Sequence, residues 1–237
     1  MIRALRFWLY TFSILMLNVH CKSEKKAEPT QNENKVEKSL TFTTPLGKEF
    51  TVSEPSEKLM NQYNEAKEIY KAYPDSIEAL IWYGRRTAYL GRYNDAISIY
   101  SKGINQFPKE PRLYRHRGHR YISIRKFDEA IIDFEKASEL IVGTENQIEP
   151  DGMPNARNIP VSTLHGNIYY HLGLTYYLKH DYQKAYDAYL KCRASGKLPD
   201  NIVSSTHWLY MIQRRIGNVK LAKEMLEPIQ SNMDVFE

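Results

Sequence analysis

The sequence predicts an all-α fold, a helical solenoid built from antiparallel helix pairs. Three pairs of matching residues are each separated by 34 positions: Gly84 and Gly118, Ala96 and Ala130, and Tyr100 and Phe134. Around them, apolar residues recur every three or four positions, as on the buried face of an amphipathic helix. Self-similarity with a period near 34 residues is typical of stacked helix–turn–helix units.

Each predicted unit places a small residue where its two helices cross. A glycine inside a helix costs about 1 kcal/mol relative to alanine, so Gly84 and Gly118 indicate close packing between helices. Ala96 and Ala130 occupy the corresponding place in the second helix of each unit. Pro108 closes the first complete unit, because proline cannot continue a helix.

The stretch from Asp75 to Ile141 reads DSIEALIWYGRRTAYLGRYNDAISIYSKGINQFPKEPRLYRHRGHRYISIRKFDEAIIDFEKASELI. It resembles the tetratricopeptide repeat, and the resemblance extends to most of the chain after Pro55. The resemblance implies a right-handed solenoid in which the first helices of successive repeats line a concave surface. The implied units are a half-repeat at 56–74 and repeats at about 75–108, 109–142, 166–199 and 203–230.

The first 20 residues have the features of an export signal. Arg3 and Arg6 precede the mostly apolar stretch Phe7–Val19, which is shorter than the about 20 residues that a transmembrane helix needs. Cys21 follows at once. This arrangement resembles a bacterial lipoprotein signal, in which the cysteine becomes the lipidated N-terminus. It implies an exported protein of the bacterial cell envelope, an outer-membrane lipoprotein facing the periplasm, with ordinary secretion and an uncleaved anchor as alternatives.

Two segments separate this signal from the helices. Residues 21–39 are polar and contain no aromatic side chain, so they predict a disordered tether that holds the protein off a membrane. In residues 40–54, alternating Thr and Phe lie on both sides of Pro45–Lys48. This pattern predicts a short hairpin or two extended arms.

The repeat period breaks before the third complete repeat. Gly173 follows Gly118 by 55 positions rather than 34, which leaves about 21 residues for an insertion at 143–165. Loops of this length are usually functional or disordered, so we expect either an ordered lid or a floppy segment. Four apolar residues would dock an ordered lid onto the helices: Met153, Ile159, Val161 and Leu164.

Composition and motifs argue against several function classes. The formal net charge is +5, of which Arg3 and Arg6 supply two, so the chain after the signal carries +3, less than a nucleic-acid-binding protein usually shows. With Cys21 lipidated, Cys192 is the remaining thiol and is expected to be a small buried residue. No phosphate loop, CxxC pair, HExxH or GxSxG motif occurs, so neither catalysis nor a cofactor is predicted.

The candidate functional surface is the concave side of the solenoid. By its resemblance to tetratricopeptide repeats, this surface includes Arg85, Arg112, Arg115, His116, His119, Asn167, Tyr170, His171 and Tyr177. The resemblance implies a protein or peptide partner, and a cationic strip beside tyrosines favours an acidic one. Glu78 holds the same repeat position as Arg112, so these two side chains are also expected to pair between neighbouring helices.

The histidines leave a second interpretation open. His116, His119 and His171 recur on the first helices of two repeats, where imidazoles under the 143–165 loop would serve as metal ligands or as a general base. The sequence therefore predicts a membrane-tethered protein-interaction module, with an envelope enzyme or a metal-binding protein as the alternative.

Overall fold

The structure is a computed structural model that describes residues 41–43, 46–51 and 54–236. The predicted export signal, the lipidation site Cys21 and the tether at 21–39 lie outside the described residues. Within the described ranges, no helix combines the length and the apolarity needed to cross a membrane.

A short antiparallel hairpin precedes the helices. Strand β1 (Thr41–Thr43) pairs with strand β2 (Glu49–Thr51), and Phe42 lies opposite Phe50 in the register. Gly47, in the connecting turn, has a φ of 76°, which a glycine adopts without steric cost. The hairpin and the helices belong to separate compact units, and the helical unit spans Glu54–Glu237.

The helical unit consists of antiparallel helices joined by short turns, except at one long insertion. The helices are α1 (Glu57–Ala72), α2 (Ile77–Tyr89), α3 (Tyr93–Gln106), α4 (Pro111–Ser123), α5 (Phe127–Leu140), α6 (Leu164–Leu178), α7 (Tyr182–Ala194), α8 (Pro199–Arg215) and α9 (Val219–Met225). Helix α1 stands at the place of the predicted half-repeat. The helices from α2 to α9 form four pairs, each packed against the next.

Two repeat boundaries differ from the sequence prediction. Helix α6 begins at Leu164, inside the expected insertion, because the Thr163 hydroxyl accepts a hydrogen bond from the Gly166 amide at 3.2 Å and caps the helix. Helix α8 begins at Pro199 rather than near residue 203, since proline is favoured in the first turn of a helix. The insertion therefore comprises residues 141–163.

An aromatic ring packs onto the first-helix glycine of three repeats. A Cβ atom added to Gly84 would lie 2.5 Å from the Tyr100 ring, and one added to Gly173 would lie 2.7 Å from the Tyr189 ring. Gly118 is in the same position against Phe134, at 3.0 Å. The alanines of the second helices are fully buried: Ala96, Ala130, Ala185 and Ala222. The predicted close helix crossings, and with them the solenoid, are confirmed.

The helix contacts show which side of the solenoid is concave. Each first helix contacts the first helix of the next repeat, in the series α2, α4, α6 and α8. The second helices α3, α5 and α7, all within the described part of the chain, make no such contact with one another. The first helices are thus closer together and line the inner, concave face, where the insertion also lies.

Candidate functional site

The two ends of the insertion pair with each other beside the start of α6. Ile148 and Thr163 form an antiparallel bridge. The Glu149 amide donates to the Ser162 carbonyl at 3.0 Å, and the Leu164 amide donates to the Gln147 carbonyl at 2.8 Å. These bonds place Glu149 directly over the concave face.

Glu149 inserts its carboxylate between the first helices of the second and third repeats. Arg115 on α4 approaches one carboxylate oxygen to 2.9 Å, and the side-chain amide of Asn167 on α6 donates to that same oxygen. His116 Nε2 lies 3.9 Å from the other oxygen. The side chains of Glu149 and Arg115 are only 9% and 11% exposed, so this is a largely desolvated ion pair with additional hydrogen bonds.

Two arginines of α2 bind the backbone that follows Glu149. Arg85 donates to the Pro150 carbonyl at 2.9 Å, and Arg86 donates to the Gly152 carbonyl at 3.0 Å. The Arg85 guanidinium also lies 4.4 Å from the centre of the Trp82 ring, a geometry typical of a cation–π contact. The concave face therefore holds residues 149–152 through the Glu149 carboxylate and the carbonyls of Pro150 and Gly152.

The three predicted histidines are packed among aromatic rings and are neutral. Burial, reinforced by Arg115, lowers the pKa of His116 well below its usual value, and burial lowers that of His171 to about 3. Burial and the neighbouring His171 lower the pKa of His119 in the same way. His119 and His171 pack ring to ring at 4.3 Å, and His171 stacks on Phe134. The positive charge expected of His116 and His119 in the cationic strip is therefore absent, and the arginines supply it.

The hydrogen bonds of two imidazoles fix their tautomers. Arg115 donates to Nδ1 of His116 at 2.9 Å; because a guanidinium has no acceptor, His116 carries its proton on Nε2. His171 has the opposite arrangement, since its Nδ1 lies 2.7 Å from the Asn167 carbonyl and must donate. The described residues contain no group of three or more His, Cys, Asp or Glu side chains placed to hold a metal ion.

Two predicted residues lie apart from this cluster. Arg112 pairs with Glu110 at 2.8 Å and with Glu78 at 3.0 Å, so the expected pairing of Glu78 with Arg112 is confirmed. Tyr177 packs edge-on against Tyr182 and Trp208, a contact among aromatic rings of α6, α7 and α8.

An open cavity of about 800 Å³ continues the concave face between α6 and α8. Predicted residues Asn167, Tyr170 and His171 lie on its α6 side, and Trp208 faces them from α8. Trp208 Nε1 donates to the Tyr170 hydroxyl at 3.0 Å. Under the insertion, between α2 and α4, the remaining space is only about 110 Å³. One half of the concave face is thus filled by the chain itself, and the other half is accessible.

The C-terminal tail contributes to the rim of this cavity. Val235 lines it, and the Phe236 amide donates to an Asp200 carboxylate oxygen at 2.8 Å. Asp234 forms two hydrogen bonds with Arg157 of the insertion, at 2.7 and 2.9 Å. Insertion and tail therefore meet beside the cavity.

Sequence reasoning missed the residues that other segments bring to the concave face. Glu149 in the insertion and Arg86 on α2 were not assigned to it, nor were Trp208 and the tail. The sequence offered one signal for Glu149: it is an acidic residue in a long insertion, and the preceding repeat carries several arginines on its first helix. The Cys192 thiol is buried as expected, and burial raises its pKa to about 12, so it is no ready nucleophile.

Solved structures of MamA have a similar fold. One MamA crystal structure matches with a TM-score of 0.55 and 21% identity, over 71% of this chain and 85% of the other. MamA from Desulfovibrio magneticus RS-1 gives a TM-score of 0.55 and 19% identity, over 73% and 84%. MamA AMB-1 gives 0.53 and 12%, over 72% and 87%. No protein-family model and no curated protein matches this chain. Together with the helix pairs, these similarities show a tetratricopeptide-like solenoid.

Proposed function

We propose that this chain is a protein-interaction module whose concave face binds an extended, acidic segment of a partner protein. The observation that carries the proposal is the seating of residues 149–152 on the concave face. Arg115 and Asn167 hold a carboxylate there, while Arg85 and Arg86 hold backbone carbonyls. Ligands of this kind are recognised through charge-assisted hydrogen bonds and main-chain contacts.

The accessible half of the face adds apolar surface to this polar site. Trp208 and Tyr170 contribute large aromatic rings to the cavity wall. Their polar atoms already form a hydrogen bond with each other, so the rings present mainly apolar surface. Aromatic residues of this kind are common at the centres of protein interfaces. A partner segment with apolar side chains beside its acidic residue fits both halves.

The buried histidines take part in packing and hydrogen bonding under the concave face. His116 Nδ1 is occupied by Arg115, and its ring stacks on Tyr100. His171 uses its Nδ1 proton on a backbone carbonyl and packs between Phe134 and His119. No observation favours the enzyme or metal-binding alternative specifically.

The proposal includes a tether to a membrane. A basic start, a short apolar stretch and Cys21 followed by a polar run support lipidation of Cys21 in the cell envelope, with the module facing the periplasm. We expect Cys21→Ser to release the protein from the membrane fraction. A Cys21→Ser protein that stays membrane-bound through an intact N-terminus would instead identify the segment as an anchor.

Site-specific photocrosslinking in the producing cells tests the binding function. A photoreactive phenylalanine at His207, which lines the cavity, is compared with one at Ile132, which is 65% exposed on the second helix α5. We expect a crosslinked partner from position 207 and none from position 132. Crosslinking from position 132 alone would place the binding surface on the outer face and refute the proposal.

A further inference from the structure

The segment 149–152 is held on the concave face by polar contacts. Its anchors are Arg115 and Asn167 on the carboxylate, and Arg85 and Arg86 on two carbonyls. The apolar residues on either side of it contribute little, since Ile148 is 59% exposed and Met153 is 72% exposed. Of the four residues expected to dock the insertion, Val161 and Leu164 are buried as predicted, while Ile159 is 46% exposed and Met153 is 72% exposed.

Contacts of this kind can be exchanged one for one. Any other chain that presents a carboxylate and two carbonyls with the same spacing restores the contacts with Arg115, Asn167, Arg85 and Arg86 that hold the segment on the concave face. Because its flanking apolar side chains are already exposed, its release uncovers little apolar surface, the main cost of opening a packed contact.

The position of Gly152 adds a steric preference. A Cβ atom there would lie 1.7 Å from the Tyr89 hydroxyl and 2.7 Å from Arg85 Nη2, so both side-chain ends would have to shift. The site between Tyr89 and Arg85 therefore favours a residue without a side chain, three positions after the glutamate. The pattern that fits best is Glu-x-x-Gly.

The bound segment also sets a direction. Ile148 lines the open cavity, Glu149 lies between α4 and α6, and Pro150 and Gly152 contact α2. A segment bound in the same direction places the residues that precede its glutamate in the cavity beside Trp208. These residues are expected to be apolar, since most of the cavity wall is apolar.

We infer that segment 149–152 is an intramolecular ligand, and that the partner presents an acidic segment of the form Glu-x-x-Gly, preceded by apolar residues, which takes its place. This inference rests on the proposed function and deepens it. The insertion then lowers the apparent affinity for every competing segment by the same factor, because each must displace a ligand already present at high local concentration. Only segments that have all of these features bind tightly enough to displace it.

The test measures whether the protein binds its own segment when that segment is supplied as a separate peptide. The probe is a fluorescent peptide of residues 145–153, ENQIEPDGM, and its binding to the purified protein is followed by fluorescence anisotropy. The receptor variants are Glu149→Gln, which removes the competing charge, and Glu145→Gln, a matched control at an exposed position. We expect Glu149→Gln to bind the peptide at least about tenfold more tightly than the wild type or Glu145→Gln, the effect of one charge-assisted hydrogen bond.

Two altered peptides test the pattern itself. Replacing the glutamate that corresponds to Glu149 with glutamine should weaken binding to the Glu149→Gln protein at least about tenfold. Replacing the glycine that corresponds to Gly152 with alanine should weaken it by a smaller factor, because the ends of two side chains must shift. Equal binding of all three peptides would show that the face does not recognise Glu-x-x-Gly and would overturn the inference.

The remaining outcomes are also decisive. A folded Glu149→Gln protein that binds the peptide no better than the wild type overturns the inference. If Glu149→Gln does not fold, Gly152→Ala replaces it, because the added Cβ atom displaces Tyr89 and Arg85 and so weakens the hold on the segment. Failure of both variants to fold would show that the segment is a structural element. Crosslinking from position 207 that persists in any of these cases leaves the proposed function intact, whereas its absence from wild type and variants alike refutes that function.

Discussion

Arg125 and His180 have left-handed backbone conformations at the turns between paired helices, with φ of 61° and 62°. Gly91 and Gly217 fill the equivalent turns of the other two repeats, at 76° and 83°. The turn thus requires the same backbone conformation in all four repeats, and in two of them a residue with a side chain adopts it. That conformation costs a residue with a Cβ atom roughly 1–2 kcal/mol.

The four turns yield a paired prediction. Replacing Arg125 with Gly should raise the free energy of unfolding by about 0.5–1 kcal/mol, because relief of the strain exceeds the added entropy of the unfolded chain. The converse change, Gly91→Ala, meets no atom within 4 Å and should lower it by about 1 kcal/mol through backbone strain alone. Chemical denaturation measures both, and a loss of stability in Arg125→Gly would contradict the strain argument.

The buried histidines predict how stability depends on pH. The unfolded chain takes up protons on its histidines below about pH 6.5, while burial keeps the pKa of His171 near 3 in the folded protein. Stability therefore declines as the pH falls through 6.5, by about 2 kcal/mol for His171 between pH 6.5 and 5. His171→Phe should reduce this decline in thermal melts at the two pH values. An unchanged pH dependence would indicate that His171 is protonated when folded.

At the level of elements, a buried ion pair joins three helices. Arg117 on α4 forms two hydrogen bonds with Asp133 on α5, at 2.8 and 2.7 Å, and a third with Ser101 on α3 at 3.0 Å. Asp133 is 2% exposed, so its loss would leave the arginine charge without compensation. The pair joins the two helices of the second complete repeat, and the Arg117–Ser101 bond links that repeat to the first.

The ion pair predicts a large effect for one of two aspartates on α5. Asp133→Ala should lower the free energy of unfolding by about 3–5 kcal/mol, as expected when one partner of a buried pair is removed. Asp128→Ala, also on α5, removes an exposed pair with Lys179 at the end of α6. It should change the free energy of unfolding by about 0–1 kcal/mol. Equal effects in urea denaturation would mean that burial does not determine the strength of the Arg117 pair.

For the whole molecule, the repeat architecture was predictable because it is periodic. The 34-residue spacing of Gly84 and Gly118 predicts where the paired helices cross. The start of α8 was misplaced because the last repeat departs from that spacing and Pro199 sets its first turn. All nine predicted groove residues lie on first helices. Two of them lie apart from the cluster around Glu149, since Arg112 pairs with Glu110 and Glu78, and Tyr177 packs against Tyr182 and Trp208.

The 34-residue repeat spacing could not predict that the insertion occupies part of the concave face. Arg85 meets the Pro150 carbonyl across 65 positions, and Asn146 of the insertion meets the Ser195 carbonyl across 49. Contacts between a repeat and a non-repeating insertion leave no periodic signal. The protonation of His116 and His171 was equally hidden, because the pKa of an imidazole depends on neighbours that only the fold supplies.

The most direct test is the yield of crosslinked partner from position 207 in three proteins: the wild type, Glu149→Gln and Arg115→Gln. If the concave face binds an acidic segment in competition with Glu149, the yield rises in Glu149→Gln and is lost in Arg115→Gln, because the first change removes the competitor and the second removes the cation that both ligands need. Yields that are the same in all three proteins would contradict the account, since partner binding would then involve neither side of the ion pair.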